Sequence, residues 1–430
     1  MKLKAKTASL SASPLSALGR RTAPPAISWL MATALGRPNL ISLAAGFTDN
    51  ASLPVDLAYE VLGEVLRNPK HGQAALQYGI TAGENNLRQL TAKHLQTLDA
   101  GRDPTHTPDR LIITGGSQQL LYMTLEALCD EGDIILVEDP TYFVFLGILQ
   151  SRGIHARGVR LERDGLDVAD LATVLERLKK SGELRRVKAL YLVSYFQNPT
   201  GASTSLAKKR RALALLKNYE AAAGHPLYLL EDAAYRELRF AGPDIPSALT
   251  LPGAARRVIY TGTYSKPFAP GIRLGFGILP EPLFTAVQRI KGNHDFGTAN
   301  LLQQILAGAL ASGNYGKHVA KIEKRYGEKA RVMKQALAEH FPPAVEIWES
   351  GGGLYFWARL PAGVSAGVKS QVFQTALKND VLYVPGELCY ADDPARPKPD
   401  TGMRISFGTA SEENIREGIR RLGAVLKKFV

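Results

Sequence analysis

Lys266 stands in the strongest local pattern of the chain, Thr263-Tyr264-Ser265-Lys266-Pro267-Phe268-Ala269-Pro270-Gly271-Ile272-Arg273-Leu274-Gly275. A lysine amine in such a turn can form a Schiff base with a carbonyl cofactor. The Thr263 and Ser265 hydroxyls and the Arg273 guanidinium can hold an anionic group beside it, the arginine through two parallel N–H bonds. A bare Ser-x-Lys would be a solvated loop lysine; the extended pattern asks for more. Gly115-Gly116-Ser117-Gln118 follows a short apolar run and opens a helical stretch. Backbone N–H groups and the helix dipole make that an anion site. A plain strand–helix turn capped by Ser117 fits equally well. Further candidates are Tyr142 in Pro140-Thr141-Tyr142, Asn198 in Asn198-Pro199-Thr200-Gly201, and Asp232 and Tyr235 in Glu231-Asp232-Ala233-Ala234-Tyr235. Tyr78 before Gly79, Arg404 in Met403-Arg404-Ile405-Ser406-Phe407, and Gly46 after Ala44-Ala45 complete the set. Singly, these have ordinary explanations: packing for Tyr142, a turn for Asn198, a helix cap for Asp232, a Tyr-Gly turn for Tyr78 and an edge-strand arginine for Arg404.

The elements that must position these residues alternate in type. Leu57, Val61, Leu62, Val65 and Leu66 recur at helical spacing. Apolar strand-like runs at Leu111–Ile113, Ile134–Val137, Val187–Val193, Leu227–Leu230, Val258–Tyr260 and Leu274–Ile278 are separated by helical stretches, among them Ser117–Leu128. Continuous apolar strands between helices predict an α/β fold with a buried, mainly parallel sheet. Ligands of such sheets bind at the strand carboxyl ends, and the polar clusters sit at those ends. From about Tyr326 a long helical stretch, strand candidates at Leu354–Leu360 and Met403–Phe407 and a last helix from Ser411 predict a smaller α+β domain. The expected division is an N-terminal arm over 1–48, packing in part with the small domain, a large domain over 49–325 and a small domain over 326–430.

Composition narrows the function classes. The 430 residues are 45% hydrophobic and 22% charged, which excludes bulk disorder and fibrous or coiled-coil architectures. Cys129 and Cys389 form neither a disulfide framework nor a metal-ligand spacing, and the chain reads as cytoplasmic. No run approaches about 18 apolar residues, so no membrane span is expected. The 53 basic against 40 acidic residues suit an anionic substrate or cofactor. No dense basic block interleaved with aromatics and no recognition-helix spacing points to nucleic acid.

With these motifs in this order over nearly the whole chain after about residue 25, the sequence resembles the fold-type I pyridoxal-phosphate aminotransferases, class I/II. The resemblance is closest to the subgroup acting on 2-aminoadipate, kynurenine and aromatic or branched amino acids. It implies a large cofactor-binding domain, a smaller α+β domain and a homodimer. Lys266 is then the Schiff-base lysine, with Asp232 as partner of the pyridine nitrogen and Tyr142 stacked on the ring. Asn198 and Tyr235 bond the phenolic oxygen. Gly116, Ser117, Gln118, Thr263, Ser265 and Arg273 hold the phosphate, and Tyr78 reaches the phosphate of the partner subunit. Arg404 clamps the substrate carboxylate beside Asn198 and Gly46, and Gly351-Gly352-Gly353 is a structural turn. The implied reaction moves an amino group between an L-amino acid and a 2-oxo acid such as 2-oxoglutarate. Decarboxylases and lyases share this cofactor site and remain the alternative.

The N-terminus departs from the relatives. No acidic residue precedes Thr48, while Lys2, Lys4, Lys6, Arg20, Arg21 and Arg37 are basic. A flexible arm and an organelle-targeting segment both fit that composition. A dicarboxylic substrate needs a second cation, for which Arg20 and Arg21 are the nearest candidates. Pro24-Pro25 suits a helix start, and Trp29 is either an apolar lid or core.

Overall fold

Five parallel strands form the centre of the largest sheet, and the inner runs among them are mainly apolar. We describe a computed structural model in which residues 13–101 and 106–430 are placed; Lys2, Lys4 and Lys6 lie outside the described residues. The large sheet has eight strands in the spatial order Leu111–Thr114, Gly275–Ile278, Val258–Thr263, Tyr228–Asp232, Val187–Val193, Ile134–Asp139, His155–Glu162 and Gly165–Leu166. The strands from Val258–Thr263 through His155–Glu162 run parallel, and Gly275–Ile278 and Gly165–Leu166 pair antiparallel. Ile134, Ile135, Leu136 and Val137 are fully buried, as are Leu190, Leu192 and Leu229. Each such side chain removed from water contributes about 1.5–3 kcal/mol. That is why these runs carry no polar alternation: helices cover both faces.

Local signals set the helix starts. Asp167, Ser205 and Ser411 cap the Val168–Lys180, Leu206–Ala223 and Glu412–Leu426 helices through side-chain oxygens. Glu412 and Glu413 add negative charge to the first turn of the last helix. The Ser117–Leu128 helix is different. It starts from Gly116 with no side-chain cap, so its first N–H groups are left for another acceptor. Ser117 is the first helical residue rather than the cap.

A second sheet of four strands, in the order Glu346–Trp348, Tyr355–Arg359, Gly402–Ser406 and Val384–Pro385, is antiparallel throughout. The helix expected from about Tyr326 begins at Asn314 and runs to His340 without a break. It therefore crosses the 325/326 boundary suggested by the sequence. Ile41–Ser42 pairs in parallel with Val381–Leu382. Gly351 accepts backbone bonds from Phe240 and Ala241, a structural turn. No helix among the described residues is long and apolar enough to cross a membrane.

Candidate active site

At the carboxyl edge of the parallel strands lies a cavity of about 240 Å³. It is lined by Gly46, Gly116, Ser117, Gln118, Tyr142, Asn198, Asp232, Tyr235, Thr263, Ser265, Lys266, Arg273 and Arg404. Thirteen of the fourteen residues singled out in the sequence thus converge; Tyr78 does not. These positions span more than 350 residues of chain, and strand register brings them together.

Gly275 anchors one end. It opposes Thr114 on one side and Thr263 on the other, so the Gly116 turn and the lysine loop leave the sheet side by side. A side chain at Gly275 would run into the backbone of Gly116 and Ser117. Gly116 itself has φ of 93°, a region in which side chains are strained. Arg273 adopts a left-handed conformation at φ 50° despite its side chain, an observed strain of the kind found at ligand sites. Its guanidinium donates to Gly115 O at 3.2 Å and Pro270 O at 3.3 Å. The Thr263 hydroxyl donates to Leu274 O and accepts from Ser265 N–H at 3.1 Å, which folds the loop ahead of Lys266. Uncapped N–H groups, two serine hydroxyls and Arg273 make this end a cradle for a phosphate.

The deep end is acidic. Asp232 is 3% exposed and ends the Tyr228–Asp232 strand. Its Oδ2 accepts from the Tyr191 hydroxyl at 2.9 Å and its Oδ1 from Ala234 N–H at 3.1 Å. Burial pushes its carboxyl up to about 6 against the lowering effect of these two bonds. Among the described residues no cation pairs with it. A buried carboxylate that lacks a cation fits a protonated pyridine nitrogen.

Lys266 Nζ donates to Gly46 O at 2.6 Å. Burial first, then the positive Arg404 and Arg273, lower its amine to about 8. No carboxylate is bonded to it among the described residues. Its neutral, nucleophilic form, fitted to a carbonyl partner, is therefore far easier to reach than that of an ordinary lysine.

Arg404, 2% exposed, donates to Asn198 Oδ1 at 2.7 Å and Ala44 O at 2.5 Å. Its guanidinium carbon lies 4.4 Å from the ring centroid of Tyr355 and 5.4 Å from that of Phe143. Its Nε is buried without a partner among the described residues. Asn198 Nδ2 donates to the Tyr235 hydroxyl at 3.4 Å, and that hydroxyl lies 3.0 Å from the Tyr355 hydroxyl.

Tyr191, Tyr355 and Phe143 were not found from the sequence. Tyr355 lies in the small sheet, and nothing in one dimension ties it to Tyr235. Tyr191 carries one usable signal: a hydroxyl inside a mainly apolar buried strand must find a partner.

The N-terminal candidates are corrected. Arg21 Nε donates to Ser151 O at 2.7 Å, and its Nη1 pairs with Glu131 at 2.6 Å. Arg20 donates to Leu15 O at 2.5 Å. Neither lines the cavity. A helix C-terminal carbonyl and a carboxylate are the stronger partners for Arg21. Trp29 is neither lid nor core: it is 41% exposed and packs 5.9 Å from Phe373. Ile27 lines the cavity instead.

Tyr78 is 81% exposed and contacts Phe296, with ring centroids 5.3 Å apart.

Comparison with known proteins agrees with this geometry. The family model for aminotransferase class I and II matches residues 38–422. The chain is 34% identical over 392 residues to aromatic-amino-acid aminotransferase 1 of Thermococcus litoralis, covering 91% of this chain and 88% of that protein. It is 33% identical over 394 residues to 2-aminoadipate transaminase of Thermus thermophilus, covering 91% of each. A solved structure of Pyrococcus horikoshii kynurenine aminotransferase superposes with a TM-score of 0.87 at 30% identity, covering 96% of this chain and 97% of that one. The phosphate cradle, the lysine of lowered basicity and the buried carboxylate without a cation thus lie within a family-wide match: this chain belongs to the class I and II aminotransferases and is a pyridoxal-phosphate-dependent transaminase.

Proposed function

We propose that the enzyme takes its amino group from an L-amino acid with a large apolar or aromatic side chain and passes it to a 2-oxo acid such as 2-oxoglutarate. The carrying observation is a groove of about 920 Å³ that shares Ile27, Gln118, Tyr142, Phe143 and Val144 with the cavity. Tyr122, Leu146, Leu388 and Tyr390 continue its apolar wall. The lysine on that wall, Lys398, lies 3.4 Å from Asp392, and Arg21, which reaches the groove's rim at Ser151, is paired with Glu131. An apolar wall rewards an apolar side chain and discriminates poorly for a distal carboxylate.

When bound, pyridoxal phosphate supplies the carbonyl that takes up the amino group and a ring that stores the electron pair left at Cα. Ser117, Gln118, Ser265, Arg273 and the N–H groups after Gly116 would hold its phosphate, with Thr263 beside them. The Asp232 carboxylate would pair with the ring nitrogen, Tyr142 would cover the ring, and Asn198 and Tyr235 would bond the ring oxygen. Arg404 would fix the donor carboxylate beside Asn198 and Gly46. That contact sets the Cα–H bond toward Lys266 Nζ, which accepts the proton and returns it. The amine lowered to about 8 suits both directions near neutral pH.

The reading includes a homodimer. Leu76, Tyr78, Ile80 and Phe296 are 70%, 81%, 57% and 60% exposed, an apolar patch suited to a second copy. The cradle is open at its outer side, where Gln118 and Arg273 are exposed, and Tyr78 of a second copy would close it. Two buried, unpaired cysteines suit the reducing cytoplasm. The division into 1–48, 49–325 and 326–430 belongs to the same reading, with the Asn314–His340 helix as the shared spine.

The test is visible absorption of the cofactor-loaded enzyme, titrated with single amino acids. Aromatic and large apolar donors should bleach the band at the lowest concentrations, and 2-oxoglutarate should restore it. Preferential bleaching by 2-aminoadipate or glutamate would overturn the apolar-donor reading.

A further inference from the structure

Asp232 needs an ionised carboxylate in a place that opposes ionisation. It is almost fully buried, and the titratable groups facing it do not help by charge. These are Tyr191 from the Val187–Val193 strand, Glu138 from the Ile134–Asp139 strand and Tyr142 from the loop that follows. Glu138 is itself fully buried, and the negative Asp232 helps push it up to about 8. None of the three is a cation. Two hydrogen bonds therefore do the stabilising, one from the Ala234 backbone and one from a side chain, the Tyr191 hydroxyl at 2.9 Å.

Tyr191 is built to keep that bond. It is fully buried, and its ring stacks on Phe145 with centroids 3.8 Å apart and planes at 19°. Its backbone lies between Val137 and Leu230 in the parallel sheet. Among the described residues the hydroxyl has a single hydrogen-bond acceptor, Asp232 Oδ2.

Resting on the assignment of Asp232 to the ring nitrogen made above, we propose that Tyr191 is a positioning residue that holds the Asp232 carboxylate ionised and aimed at the cofactor ring. The Tyr191 proton stays on its own oxygen. The bond stabilises the charged form of Asp232 and, with the Ala234 bond to Oδ1, leaves one further lone pair on each carboxylate oxygen for the ring N–H.

The experiment is a double-mutant cycle on the purified full chain with Tyr191→Phe, Asp232→Asn and both together. Two readouts are taken: the dissociation constant for pyridoxal phosphate from apo-protein, and its dependence on pH. Losing a hydrogen bond to a charged group should weaken cofactor binding about tenfold in Tyr191→Phe and move the acid limb of affinity up by about one pH unit. The KM for the amino donor should stay within about twofold, because Arg404 is untouched. The double variant should bind like Asp232→Asn within about twofold, since a neutral amide has no charge for Tyr191 to support. Wild-type affinity and pH profile in Tyr191→Phe would overturn the proposal. So would an equal loss on the Asp232→Asn background, which would mark a packing effect. An Asp232→Asn enzyme with unaltered affinity would overturn the Asp232 assignment itself and is read separately from both.

Discussion

At the scale of single residues, the site works by placing ionisable groups where their ordinary protonation is costly. Lys266 is shifted by burial and by two arginines; Asp232 and Glu138 are shifted the other way by burial. Lysine reactivity gives a direct test. Only the neutral amine attacks a carbonyl, and it becomes available as pH rises through about 8 rather than near 10.5. The rate at which apo-protein captures pyridoxal phosphate should therefore climb between about pH 7 and 9 and then level. In Lys266→Ala the covalent absorption band and its pH dependence should both be lost. A capture rate still rising steeply above pH 10 would mean that the amine is not shifted. Legibility at this scale was uneven. Lys266, Asp232 and Arg404 stood in motifs that a reader can find. Tyr191 and Tyr355 act through hydroxyls whose partners lie 41 and 120 positions away, and no local pattern records such a pairing.

At the scale of elements, the Gly275–Ile278 strand joins two halves of the phosphate cradle. Its first residue faces Thr114 and Thr263 at once, and the missing Cβ lets the Gly116–Ser117 backbone approach. Gly275→Ala should therefore displace the first turn of the Ser117–Leu128 helix. The neighbour is backbone and cannot swing aside as a side chain would. We expect cofactor affinity to fall at least tenfold, with loss of about 1–3 kcal/mol in stability from the forced shift; equilibrium dialysis and urea unfolding measure the two. Wild-type values in both would show that the turn adapts. The strand's antiparallel direction was not legible. A four-residue apolar run reads the same in either direction, and only pairing with its neighbours orients it.

At the scale of the whole molecule, the proposed second copy has an open side of the cradle to cover. Gln118 and Arg273 are exposed, and the apolar patch around Tyr78 and Phe296 faces outward. Mixed dimers separate the two arrangements. If Tyr78 serves the partner's cofactor, a dimer of one Tyr78→Phe chain with one Lys266→Ala chain keeps one complete site and about half of wild-type turnover. Placing both changes in one chain, against a wild-type partner, leaves its working lysine opposite a phenylalanine and should give clearly less. Equal activity in both arrangements would place Tyr78 outside the partner's site. The Asn314–His340 helix also acts at this scale. It begins beside the large sheet's helices and ends against the last helix of the chain, so it links both sheets through one rigid rod.

The sequence by itself determined the α/β class, the cofactor through the family resemblance, and nearly every polar residue around the cavity. Those properties live in short stretches: an apolar strand, the turn at its carboxyl end and the polar residues in that turn are set by neighbours within a few positions. Tertiary structure alone decided the rest. It turned Arg21 toward Glu131 and Ser151, left Ile27 at the cavity, set Trp29 half in solvent and gave Asp232 its tyrosine. Each outcome is a competition between partners far apart in the chain, and electrostatics and packing choose among them only once the backbone has brought them within reach.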